Sequence, residues 1–83
     1  MALYMDIHKH IPGLTKEAVE GAHARDLEVQ KKYGVNYLKY WYDDTSGRVF
    51  CLIEAPNKES AIAVHREAHG LVADDIIEVQ EGL

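Results

Sequence analysis

Two histidines four residues apart, His65 and His69, stand near the end of the run AIAVHREAHGLV (residues 61–72). On a helix that spacing places both imidazoles on one face, about 5–6 Å apart at Cβ. Two ring nitrogens can then converge on one divalent metal ion. At about 100° per residue, Ala61, Val64, Ala68 and Val72 form an apolar stripe. His65 falls inside that stripe and His69 on its edge, so the pair should face the protein body or its rim. The plainer account is a half-buried His65 bonded to a carboxylate, with His69 favourably placed at the helix C-terminus. VHREAHG is not the H-E-x-x-H of zinc proteases, because Glu67 follows His65 by two residues and projects to the far side of the helix.

Two further groups carry chemistry. Asp6, His8 and His10 alternate along residues 3–10 and share one face of a strand. They could bind a metal, take part in proton transfer, or simply be solvated. His23 and Asp26 are three residues apart on a helix and face the same way. They could form a histidine–carboxylate pair that orients an imidazole for a metal or for acid–base work. They could equally be a polar tie between helices. Asp26 falls within an apolar stripe that includes Val19, Ala22, Val29 and Tyr33, and a buried carboxylate needs a partner. Tyr37, Tyr40, Trp41 and Tyr42 crowd one strand as core or interface fillers, with a pocket lining as the other reading. Cys51 reads as a buried apolar residue.

The elements that position these residues follow from the chain order. LYMDIHKH alternates as a strand and Ile11-Pro12-Gly13 ends it. Thr15 can cap a helix over 16–33, stopped at Gly34. Residues 35–43 and 48–54 form a hairpin around Asp43-Asp44-Thr45-Ser46-Gly47. Asn57 can cap a second helix that runs to His69 and stops at Gly70, and residues 76–80 make a last strand. The order β-α-β-β-α-β predicts an α+β, ferredoxin-like sandwich over residues 1–83, with strand order 4-1-3-2 and both helices on one face of a four-stranded antiparallel sheet. The alternation does not say which face of the first strand looks at the helices. The run VFCLI does not alternate, so both faces of its strand should be covered. Two helices cover one face. A second copy of the chain on the open sheet face is the expected cover for the other, which makes a homodimer.

Composition bounds the partners. Nine Lys plus Arg against fourteen Asp plus Glu give a net charge of −5, which argues against nucleic-acid binding. No apolar run approaches the ~20 residues of a membrane span. A lone cysteine among 83 residues fits a reducing, cytoplasmic setting.

The runs AHARDLEVQKKYGV, GRVFCLIEAPNKESA and VHREAHGLVADDIIEV carry, in order after MD-x-H, the patterns H-x-x-D, FC-x-x-EAP and H-x-x-x-H-G. This order resembles a domain-of-unknown-function family of small bacterial proteins labelled nickel-binding or nickel-responsive. The resemblance implies a ferredoxin-like homodimer that binds nickel at the dimer surface and acts in sequestration or detoxification. From the chemistry of the residues, the candidate metal ligands are His65 and His69, then His8 and Asp6, then His23 and Asp26. Ni2+ is the expected ion, with Zn2+ and Cu2+ as alternatives. The chain reads as a binding protein more than as an enzyme. The alternative is a small cofactor-free enzyme or small-molecule-binding dimer of the dimeric α/β-barrel type, in which buried His and Asp act as acid–base groups.

Overall fold

The structure, a computed structural model, describes residues 1–82; Leu83, the last residue of the expected 1–83 span, lies outside them. The element order is β1 (Ala2–His8), α1 (Lys16–Val29), a 3-10 turn (Gln30–Tyr33), β2 (Asn36–Asp43), β3 (Arg48–Ala55), α2 (Lys58–Ala68) and β4 (Asp75–Val79). The four strands form one antiparallel sheet in the order β2-β3-β1-β4. This is the ferredoxin-like α+β arrangement, with β1 and β3 central. Among the described residues no helix is long and apolar enough to cross a membrane.

Local chemistry starts and stops the helices. Thr15 accepts a hydrogen bond from the Ala18 N–H at 3.1 Å, and Asn57 accepts one from the Ser60 N–H at 2.8 Å. Each side chain satisfies a backbone donor that the first helical turn leaves unpaired. The helix expected over 16–33 is α-helical only to Val29 and then tightens into the 3-10 turn. There Gln30 turns its side chain to accept the Tyr37 N–H at 2.8 Å, and Gly34 closes the turn at φ +67°. Gly70 adopts φ +78° and ends α2. Val72, which helical spacing placed on the α2 stripe, therefore lies beyond the helix and is exposed. β2 carries an irregularity between Tyr37 and Lys39 that leaves Leu38 exposed.

The hairpin turn is held against the end of β1 through Gly47. Its carbonyl accepts the Ile11 N–H at 2.9 Å. Its φ is +80°, and a Cβ there would lie 2.9 Å from His10 Nδ1 and 3.1 Å from the Ile11 nitrogen. Only glycine meets both demands.

The sheet register sorts the side chains into two faces. Tyr40, Cys51, Asp6 and Ile76 form one cross-strand row, and Trp41, Phe50, Ile7 and Asp75 form the next. The first row faces the helices. Tyr4, Asp6 and His8 are buried there, alongside Val49, Cys51, Ile53 and Ala55 of β3. The polar-bearing face of β1 is thus the core face, while Leu3, Met5 and Ile7 are half-buried on the open side. Val19 of α1 and Ala61 and Val64 of α2 complete the core. On the open face Phe50 and Leu52 are half-buried, and Trp41 and Ile77 are 48 % and 49 % exposed.

Candidate metal centre

Asp6, His8, Asp26 and His65 are the buried polar or charged residues among the described ones, and all four meet at one place. β1 supplies Asp6 and His8 from alternate positions. β3 supplies Cys51, the direct cross-strand partner of Asp6. α1 supplies Asp26 from its core side, α2 supplies His65, and the residue that caps the end of α2 is His69.

His65 is the hub. Its Nδ1 donates to Asp26 Oδ1 at 2.8 Å, and its Nε2 lies 2.8 Å from Asp6 Oδ2. His69 Nε2 approaches Asp26 Oδ1 at 3.1 Å, and His8 Nε2 stands 3.5 Å from Asp6 Oδ1. The His65 ring centroid is 5.2 Å from that of His8, 4.8 Å from Tyr37 and 4.7 Å from His69. Tyr37 is held in turn by its hydroxyl, which donates to the Ala61 carbonyl at 2.9 Å.

The charges explain how two carboxylates survive in the interior. Burial alone would raise the Asp6 carboxyl, but His65 and His8 outweigh it and hold Asp6 at about 2. Burial opposes the same effect at Asp26, where His65 and His69 lower the carboxyl. Burial would depress His65, yet Asp26 and Asp6 raise it to about 9. Without a metal, His65 is therefore an imidazolium between two carboxylates at neutral pH. Burial and then the Asp6 charge push the Cys51 thiol up, so it is inert as a free nucleophile.

The hydrogen bonding of this cluster is incomplete. Asp6 Oδ1, His65 Nε2 and His69 Nε2 are buried without an aligned hydrogen-bond partner. His65 Nε2 and Asp6 Oδ2 are close enough to attract as charges but lack the alignment of a hydrogen bond. Orphaned buried polar atoms are uncommon and costly. Two sets of donor atoms converge within 4.8 Å: Asp6, His8, Cys51 and His65, and Asp26, His65 and His69. Nitrogen, oxygen and sulfur donors of this kind fit a divalent transition metal.

Of the six candidate ligands read from the sequence, the structure brings Asp6, His8, Asp26, His65 and His69 together. It leaves His23 apart. The His23 ring packs against Tyr40 at 4.8 Å between centroids, on the wall of a cavity next to the cluster. Burial lowers His23, with Asp26 opposing and His65 adding to the effect. His10 is exposed beside the Ser46 carbonyl. Cys51 is the residue that sequence reasoning passed over. The signal for it was the β1–β3 pairing, which sets position 51 opposite position 6. The cavity measures about 60 Å3 and lies between α1 and the sheet. Its walls include Ile11, Leu14, Val19, Tyr40 and Leu71, and its floor is His8, Cys51, Asp26 and His65.

The comparisons with known proteins agree with this architecture. No curated protein matches the chain. A crystal structure of SCO4226 from Streptomyces coelicolor A3(2) superposes with a TM-score of 0.92 at 38% sequence identity, over 99% of this chain and 100% of that one. The family described as "Nickel responsive protein SCO4226-like" matches residues 4–79. The chain belongs to this SCO4226-like, nickel-responsive family.

Proposed function

We propose that the protein binds one divalent transition-metal ion per chain in the buried cluster around His65, and that it sequesters nickel. The observation that carries this reading is the pair of buried polar atoms, Asp6 Oδ1 and His65 Nε2, that no aligned hydrogen bond satisfies. An ion would satisfy such a site where protein groups do not. Nickel is the favoured ion because the family is described as nickel-responsive. The donor types also suit zinc and copper. The unpaired Cys51 thiol fits a reducing, cytoplasmic setting.

Calorimetric titration of metal-stripped, tag-free protein with Ni2+ and Zn2+ tests this. Wild type is expected to take up one ion per chain. His8→Ala, which removes a ligand whose contact with Asp6 is only 3.5 Å long, is expected to weaken binding at least about tenfold with the fold intact by circular dichroism. Equal binding by the two proteins would place the ion elsewhere, for example on the dimer surface that the family resemblance implies.

We read residues 1–83 as one ferredoxin-like domain that works as a homodimer through the open sheet face. Trp41, Phe50, Ile7, Leu52, Met5 and Ile77 share that face, and it has no cover in a lone chain. An exposed apolar sheet face is a liability unless a partner buries it. Sedimentation should give twice the 9.4 kDa chain mass. A monomer at micromolar concentration would refute the dimer.

The cavity favours a second reading, a small-molecule-binding protein or cofactor-free enzyme in which the histidines of its floor exchange protons with a bound ligand. That reading takes over if the titration gives only weak binding that does not distinguish among metals.

A further inference from the structure

His65 belongs to both donor sets, one on each side of its ring. A neutral imidazole carries a hydrogen on one nitrogen and a lone pair on the other. It can therefore be a ligand to one set only, while it acts as a donor to the other. The geometry assigns the sides. An ionised carboxylate only accepts, so Nδ1, aligned on Asp26 Oδ1 at 2.8 Å, carries the hydrogen. Once an incoming ion displaces the second imidazolium proton, Nε2, which has no aligned partner, turns its lone pair to Asp6, His8 and Cys51.

His69 is committed in the opposite sense. Its Nδ1 accepts the Leu71 N–H at 3.0 Å. A backbone N–H only donates, so this nitrogen uses its lone pair there. In the neutral ring the hydrogen then sits on Nε2, which faces Asp26 Oδ1 at 3.1 Å. No lone pair of His69 is left for an ion.

We propose that the metal in this cluster is held by Asp6, His8, Cys51 and Nε2 of His65, with Cys51 bound as a thiolate, and that Asp26 and His69 are positioning residues that orient His65. The proposal rests on the metal-binding reading above and narrows it to one donor set and one ion per chain. The four side chains come from neighbouring strand positions and the facing helix turn, and each is at least nine-tenths buried. Asp6, only 1% exposed, directs an unpartnered Oδ1 into the site. The cavity between α1 and the sheet reaches His8, Cys51 and His65 and gives the ion a way in. As the ion binds, the Cys51 thiol and the Nε2 position of the His65 imidazolium each release a proton to solvent. One sulfur, two nitrogens and one oxygen select a borderline transition metal over magnesium or calcium. Asp26 acts on His65 as a carboxylate commonly acts on a ligating histidine, by fixing its tautomer and ring plane.

Cobalt(II) is the probe, because thiolate ligation gives it an ultraviolet charge-transfer band. Wild type, Cys51→Ser and His69→Gln would be titrated with Co2+, followed by absorbance, with competition by Ni2+ to rank affinities. Wild type is expected to show the band, saturating at one ion per chain. Cys51→Ser should lose the band and at least about tenfold in affinity, whereas His69→Gln should keep the band. Cobalt bound at one per chain without a thiolate band, or a band lost in His69→Gln and retained in Cys51→Ser, overturns this assignment and leaves the broader metal reading standing. Two ions per chain in the cluster would also overturn it. No binding of either metal would end both.

Discussion

His65→Ala is expected to lose about 3–5 kcal/mol of stability at neutral pH in metal-free protein, the cost of breaking a buried ion pair by removing one partner. Small domains are stable by only about 5–15 kcal/mol, so the variant will sit near the edge of unfolding. The cause is charge more than volume. His65 stands 2.8 Å from both Asp6 and Asp26, and these two carboxylates are 1% and 2% exposed. Without the imidazolium each must either remain charged with little compensation or take up a proton. A second variant separates the two contributions. Asp6→Asn with Asp26→Asn in the His65→Ala background should recover part of the loss, because neutral amides no longer repel. Urea denaturation of the three proteins measures this. A loss below about 1 kcal/mol in His65→Ala would mean that the triad contributes nothing beyond packing.

Metal-free wild type is expected to lose stability as pH rises through the range in which His65 gives up its proton. Its folded value, about 9, lies above the ordinary 6.5. The folded state therefore holds this proton more tightly than the unfolded chain does. The contribution is full below 6.5, declines between 6.5 and about 9, and is gone above that. Its size is about 3 kcal/mol at most, from the 1.4 kcal/mol that each tenfold difference in proton affinity represents. The acid limb has the opposite sign. Asp6 is held at about 2 against an ordinary 3.8, so its contribution is present above 3.8 and is lost as pH falls toward 2. Both limbs describe the same contacts seen from either partner, so they do not add. The measurement is the urea midpoint of metal-stripped protein from about pH 2 to about pH 10. A plateau that declines on both sides is expected, with the alkaline decline absent in His65→Gln. A flat alkaline limb in wild type would show that His65 is neutral in the folded state.

Much of the arrangement was readable locally. Thr15 and Asn57 start helices where their side chains accept backbone N–H groups, and Gly34 and Gly70 end them at positive φ. Alternation in LYMDIHKH set Tyr4, Asp6 and His8 on one face, as found. The four-residue spacing of His65 and His69 placed both rings on one side of α2, and their ring centroids are 4.7 Å apart. Asp26 in an apolar stripe called for a partner, and two histidines meet it. These features depend on neighbours within about one helical turn or one strand repeat, and the sequence states such neighbours directly.

Other features were not local. His23 shares a helix face with Asp26 by spacing, yet its ring turns to Tyr40 on β2, because the sheet offers an aromatic surface there. Val72 lies past the left-handed Gly70, so helical spacing no longer applies to it.

What the sequence by itself determined is the order of elements, their ends, and which residues share a face of each. What only the tertiary structure decided is the meeting of those faces. A strand carries its side chains with period two, so alternation leaves both the buried face and the partner register open until the strand pairs. Pairing of β1 with β3 sets Cys51 opposite Asp6, and packing of both helices on that face brings His65 between Asp6 and Asp26. The protonation pattern follows from the same meeting. Which nitrogen of His65 or His69 holds a hydrogen depends on a carboxylate 39 residues away from His65 and on the Leu71 N–H beyond the end of α2, and no spacing rule within a helix contains that information.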